Sequence, residues 1–294
     1  PVTAAVEQLA SAGGIEERGA VNTKREVADF IGMGTCRPGR LQQRDGTLAL
    51  LATHAMFAVE GGSLTAAGAA LEQLLKRYSS ALVVTEGVFS MDGDSPDLGE
   101  MLRQCQQHQA ALLLDDAHGV GVVGPEGKGT AAEQGIKPAD IFCTMANFGK
   151  ALGVGGAFIG GSKTVIEYLT QFGRHYIYST ALSPALCAGV IKSIELCRSQ
   201  SWRRDKLHSN IALFRRLAAD LPLLASTSAI QGLILGSSER ALAVSQQLKQ
   251  AGIWLSAIRP PTVPQGSARL RITLSAQHSA EDVHQLVQQL RQLV

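Results

Sequence analysis

A chain of 294 residues is long enough for one large domain and a smaller one, and 45% hydrophobic with 18% charged residues is the composition of a globular protein with a substantial core. A formal net charge of +2 is too small to argue for nucleic-acid or membrane partners. The five cysteines (Cys36, Cys105, Cys143, Cys187 and Cys197) include no C-x-x-C pair, which argues against a disulfide framework or a zinc site and for a reducing, cytoplasmic setting.

No apolar run approaches membrane-spanning length, and the start lacks a basic region followed by an apolar block. Pro1 stands where a methionine would, so the natural N-terminus need not be included. Residues 1 to 31 read as short helices stopped at Gly13-Gly14 and Gly32, and 32 to 46 as loop. Leu48 to Phe57 is apolar and ambiguous between strand and helix, whereas Leu64 to Tyr78 sets Leu71, Leu74, Leu75 and Tyr78 on one helical face. From Ala81 the chain alternates. Leu82 to Thr85 is a buried strand, Glu86 to Asp94 its loop, Pro96-Asp97 the opening of a helix, and Ala111 to Leu114 the next strand. That is a βαβ unit with parallel strands. A glycine loop and a short helix near Ala131 lead to a strand at Ile141 to Ala146, then Gly156 to Gly160, a helix at Thr164 to Phe172 and a strand or edge segment at Tyr176 to Thr180. Ser183-Pro184 opens a long helical region to about Leu221, of a length that often bridges domains. Beyond Pro222 the pattern becomes α+β: strands at 229–235, 253–258 and 268–274, with helices from Glu239 and from Ser279, where Ser279 to Asp282 nearly matches a capping box.

The chemistry concentrates at two strand ends. Leu112-Leu113-Leu114 runs into Asp115-Asp116-Ala117-His118-Gly119, and the strand after it is followed by Asn147-Phe148-Gly149-Lys150. In an open α/β sheet, ligands lie beyond the carboxyl ends of the strands. An acid, an imidazole and a lone amine at successive strand ends suit pyridoxal phosphate (PLP), whose aldehyde takes a lysine. Asp115, nearest the strand end, is placed to keep the ring nitrogen protonated; taken alone, it could equally be a turn former. His118 would bond the phenolic oxygen or stack near the ring, and Lys150 would hold the cofactor and move protons at the substrate Cα. Ser90 could donate to the phenolic oxygen or the phosphate, a turn serine being the other reading. Arg269 and Arg271, two apart on a strand, face the same side; Arg271 is favoured for gripping an amino-acid carboxylate, solvated edge charge being the alternative. Gly119-x-Gly121-x-x-Gly124 matches a dinucleotide fingerprint, but Pro125, Gly127 and Gly129 break the helix it requires.

From about Val83 onward the chain resembles the α-oxoamine synthases, PLP enzymes of fold type I. The resemblance is carried by Val84 to Asp94, Asp115 to Gly119, Phe148 to Gly153, Ile177 to Thr180, and Arg259-Pro260-Pro261-Thr262-Val263-Pro264 leading to Arg269-Leu270-Arg271. It implies an α/β fold with a mostly parallel sheet flanked by helices and a smaller C-terminal α+β domain. The paired prolines with Thr262, and Thr85-Glu86-Gly87, favour the branch that condenses L-alanine with a pimeloyl thioester, on coenzyme A or a carrier protein, with loss of carbon dioxide in biotin synthesis. A sister activity on glycine or serine, or a non-catalytic relative, stays open. The resemblance further implies Lys150, Asp115, His118 and Ser90 as cofactor residues, Arg271 and Thr262 in the substrate pocket, and a homodimer in which Thr180 reaches the phosphate of the partner's cofactor.

Two departures stand out. Asn147 occupies the position where the family has a hydroxyl that donates to the phosphate, with Thr144 as the alternative donor. The family also has a much longer stretch before Thr85-Glu86-Gly87, so the expected organisation is a shortened N-terminal segment (1–80), a large cofactor domain (81–200) and a small C-terminal domain (201–294). In that segment His54 is the candidate for the histidine stacked on the ring at the substrate side, against a structural histidine.

Overall fold

The computed structural model of the chain describes residues 55–59, 64–78 and 81–294. The helices expected within residues 1 to 31, the loop after them, Cys36 and His54 lie outside the described residues.

Two compact units divide the described residues: one contains those up to Gly87 together with Pro96–Leu196, the other Val88–Ser95 with Cys197–Val294. In the first unit a five-stranded sheet runs in the order β1 (Ala55–Val59), β2 (Ala81–Glu86), β3 (Ala111–Asp115), β4 (Cys143–Asn147) and β5 (Ala157–Gly161). β1 to β4 are parallel and β5 is antiparallel to β4. The connections α1 (Leu64–Leu75) and α2 (Leu98–Gln107) supply the parallel crossovers. α2 starts cleanly because Asp97 accepts the Glu100 amide at 2.9 Å, satisfying a donor that the first turn leaves open.

The central strands are apolar throughout because both faces are covered. Val83, Leu112 and Leu114 pack with Leu71 and Leu75 of α1 and Leu98, Met101, Leu102 and Cys105 of α2. Val84, Leu113 and Cys143 turn the other way, onto Val165 and Leu169 of the helix at Lys163–Phe172. With a period of two, that alternation also decides where the strand-end acids point: Asp115 shares the face of Leu113, Asp116 that of Leu112 and Leu114.

Numbered in chain order, the remaining helices are α3 (Thr130–Glu133), α4 (Lys163–Phe172), α5 (Arg174–Ile177), α6 (Pro184–Ser199), α7 (Trp202–Leu217), α8 (Ser238–Gln250) and α9 (Ala280–Leu293). Three sequence expectations need correction. Tyr176 to Thr180 is not a strand: Ile177 and Tyr178 donate to the carbonyls of Gly173 and Arg174 at 2.9 and 3.0 Å, closing a helical turn. Aromatic and β-branched residues there imitate a strand, but the preference is weak without a partner strand. The helical region from Ser183 breaks at Gln200-Ser201, where the Gln200 carbonyl accepts the Arg203 amide at 3.3 Å in a tight turn before the next helix. The strand expected from Ile141 begins at Cys143, because Pro138–Asp140 forms a 3-10 turn that Ile141 caps.

The second unit carries a three-stranded antiparallel sheet in the order β6 (Ile230–Gly236), β8 (Ala268–Thr273), β7 (Ser256–Ile258). Leu270 and Ile272 of the central strand are 0% and 1% exposed. α9 opens on the capping box that its sequence suggested: Ser279 Oγ accepts the Asp282 amide at 3.1 Å and Asp282 Oδ2 accepts the Ser279 amide at 2.7 Å.

Candidate active site

Parallel strands end side by side, so what leaves them shares one rim. Glu86, Asp115 and Met145 form one rung of the sheet. The chain past β3 is held tightly: the Asp116 amide donates to Met145 O and the Gly87 amide to Asp115 O, both at 2.8 Å. The Asp115 carboxylate is half-buried on this rim. Burial pushes its pKa up, while the Ala117 amide at 3.0 Å and the positive charge of Lys150 pull it back. Lys150 is thus close enough to act electrostatically on Asp115 across the strand ends.

Lys150 is exposed on the hairpin between β4 and β5. The hairpin is closed by Phe148 N to Gly156 O (2.9 Å) and Val154 N to Phe148 O (2.8 Å), with the Phe148 and Phe158 rings stacked 5.6 Å apart. Asn147 ends β4 opposite Ala157, and Thr144 lies three residues further back, opposite Leu114 and Gly160. His118 is half-buried on the turn after β3, where Gly119 and Val120 both donate to Asp116 O at 3.1 and 3.0 Å. Thr180, after α5, is exposed.

The sequence reading passed over the neighbour of Asp115. Asp116 is 1% exposed and is gripped by one residue: Thr130 donates its amide to Oδ2 at 2.8 Å and its hydroxyl to Oδ1 at 2.6 Å. Three backbone segments press against this carboxylate. A Cβ added at Gly119 or Gly129 would lie 2.0 Å from it, and one at Gly87 2.4 Å. Of the glycines that imitate a dinucleotide fingerprint, Gly119 is the one that makes room for the buried acid, and a 3-10 turn at Pro125–Gly127 stands where that motif needs a helix. Burial pushes the Asp116 pKa up to about 6 despite the Thr130 bonds. Glu86, on the same face as Asp115 by the alternation of β2, is a second acid that period-two counting could have found.

In the second unit, Arg271 donates Nε–H to the Ser90 carbonyl at 2.6 Å, so the favoured arginine and the candidate serine are neighbours. Arg269, on the same side of β8 as expected, is 5% exposed and ion-paired with Asp92. Thr262 is exposed on the turn after β7, where its amide donates to Arg259 O at 3.0 Å.

A half-buried carboxylate under the influence of a lysine amine, with an imidazole on the adjoining turn, is the donor set that PLP requires: an acid for a pyridinium and an amine for an aldehyde. The residues present fit the group.

The model of the family "Aminotransferase class I and II" matches residues 61–290. The 8-amino-7-oxononanoate synthase of Aeromonas salmonicida is 50% identical over 223 residues, covering 75% of this chain and 56% of that one. The chain spans about half the length of the curated relatives it matches. Among solved structures, the serine palmitoyltransferase of S. paucimobilis with bound PLP and myriocin is 28% identical with a TM-score of 0.73, over 77% of this chain and 58% of that one. The 8-amino-7-oxononanoate synthase of Francisella tularensis is 28% identical with a TM-score of 0.67, over 76% and 65%. With a family model covering most of its length and solved neighbours of fold type I superposing on it, the chain belongs to the class I and II aminotransferase family.

Proposed function

We propose that this chain takes PLP and condenses L-alanine with a pimeloyl thioester, on coenzyme A or a carrier protein, releasing carbon dioxide and the free thiol of the carrier and giving 8-amino-7-oxononanoate for biotin. What supports the reading is that Asp115 and Lys150 follow adjacent parallel strands, β3 and β4, in a chain 50% identical over 223 residues to an oxononanoate synthase.

When bound, PLP supplies an electron sink for charge developing at the substrate Cα. Each side chain then has a separate task. Lys150 would hold the cofactor through its amine and carry the proton to and from Cα. Asp115 keeps a proton on the ring nitrogen. His118 would bond the phenolic oxygen or stack near the ring, Ser90 would donate to the phenolic oxygen or the phosphate, and Asn147 or Thr144 would donate to the phosphate. Arg271 grips the alanine carboxylate with its planar fork, while Thr262 and His54 belong to the substrate pocket. We further propose a cytoplasmic homodimer in which Thr180 serves the phosphate held by the partner, and a division of labour between a cofactor domain (81–200) and a small C-terminal domain (201–294).

A second reading has support of its own, since a serine palmitoyltransferase superposes at a TM-score of 0.73. The test is carbon dioxide release by the PLP-loaded chain with pimeloyl-CoA and alanine, glycine or serine in turn. Release with alanine and loss of release in Lys150→Ala support the proposal. Release with serine or glycine alone moves the assignment to a sister synthase, and no release with any of them overturns it.

A further inference from the structure

We propose that Arg269 is a positioning residue: through Asp92 it holds the turn at residues 89–94 so that the Ser90 carbonyl sets the guanidinium plane of Arg271 for a substrate carboxylate. The inference rests on the reading of Arg271 given above.

An ion pair with one partner buried and the other partly exposed is a poor way to gain stability, since desolvation offsets much of the attraction. Arg269 is 5% exposed, and its guanidinium is committed twice, to the Asp92 carboxylate and through Nε–H to Ser267 O at 3.0 Å. What the pair achieves is register. Asp92 lies in a turn closed by Phe89 N to Asp94 O and Gly93 N to Phe89 O, each at 2.9 Å. The far side of the turn is pinned as well: Ser226 Oγ donates to Gly93 O at 2.9 Å. Gly93 has φ +78°, and a Cβ there would lie 2.1 Å from Ile230 O, so only glycine fits against the sheet.

With the turn held at both ends, the Ser90 carbonyl has one position, 2.6 Å from Arg271 Nε. That bond restrains rotation about the Cδ–Nε bond of Arg271 and hence the plane in which its N–H groups point. A carboxylate is recognised in that plane by two parallel bonds, so a plane set beforehand saves entropy on binding. Arg269 and Arg271 therefore share one face of β8 but not one task. The first orients the turn, and the turn orients the second.

The experiment uses the PLP-loaded chain and follows its absorption spectrum during titration with L-alanine and with ethylamine, which has the amine but no carboxylate. Arg269→Met and Asp92→Asn are each expected to weaken alanine about tenfold, as Arg271→Lys does, and to leave ethylamine within about twofold. Arg269→Lys, which keeps the charge, should recover part of the loss and covers the case in which Arg269→Met fails to fold. Amide exchange in the cofactor-free chain should speed up at Phe89 and Gly93 in Arg269→Met. Unchanged alanine affinity in Arg269→Met and Asp92→Asn, beside a weakened Arg271→Lys, overturns the positioning role while the functional reading survives. An unaltered chain that responds to neither amine overturns both.

Discussion

Replacing Asp116 by asparagine should flatten the acid side of the stability profile. The carboxyl is 1% exposed, and burial raises its pKa from 3.8 to about 6. A group with a higher pKa folded than unfolded binds its proton more readily in the native state, so this site adds stability as pH falls through the folded value near 6 and adds no more below 3.8. A gap of about two pKa units corresponds to roughly 3 kcal/mol across the whole window. Between pH 7 and pH 5 the expected gain is about 1.3 kcal/mol. The amide in Asp116→Asn does not titrate, and it can still accept the Thr130 amide while donating to the Thr130 hydroxyl. Urea unfolding at both pH values, on the unaltered chain and on Asp116→Asn, gives the difference directly, and groups common to both cancel. The unaltered chain should gain about 1.3 kcal/mol more than the variant on going to pH 5. Parallel profiles, or a larger gain in the variant, would refute the account of Asp116 as an acid held against its own desolvation.

Other substitutions probe the same framework. Gly119→Ala must push Asp116 off Thr130, since its Cβ would lie 2.0 Å from Oδ1 and 2.3 Å from the hydroxyl; a loss of about 3 kcal/mol or more is expected by denaturant unfolding. Gly135→Ala meets nothing within 4 Å and is strained only by φ +69°, so its loss should be about 1 to 2 kcal/mol. Leu114→Ala removes a fully buried side chain between two parallel neighbours and should lower stability by about 2–5 kcal/mol. Ser279→Ala breaks the capping box of α9 and should cost about 1 kcal/mol, read as a small shift of the unfolding midpoint.

What the sequence could disclose depended on the range of each interaction. The strand-end positions of Asp115, His118 and Lys150 were legible because each follows a short apolar strand, and the rule that ligands sit at strand ends makes them candidates without knowledge of contacts. The crossover order and the capping box of α9 are likewise local. The Asp116 clasp was not legible: its partner Thr130 is 14 positions away, and the glycines that accommodate it, Gly87, Gly119 and Gly129, are scattered along the chain. Arg269 was less visible still, because Asp92 is 177 positions distant and counting by two gives the face of β8 but not what covers it. At Tyr176 to Thr180, composition spoke for a strand where the backbone closes a helical turn. A propensity without a partner strand decides nothing.

The central claim is that Lys150 is the amine that takes the cofactor aldehyde, with Asp115 serving the ring nitrogen. Its most direct test is borohydride reduction of the PLP-loaded chain, followed by digestion and mass analysis of the labelled peptide. The account predicts one pyridoxyl label, on Lys150, and its loss in Lys150→Ala. A label on another lysine, or one that survives that substitution, would contradict it.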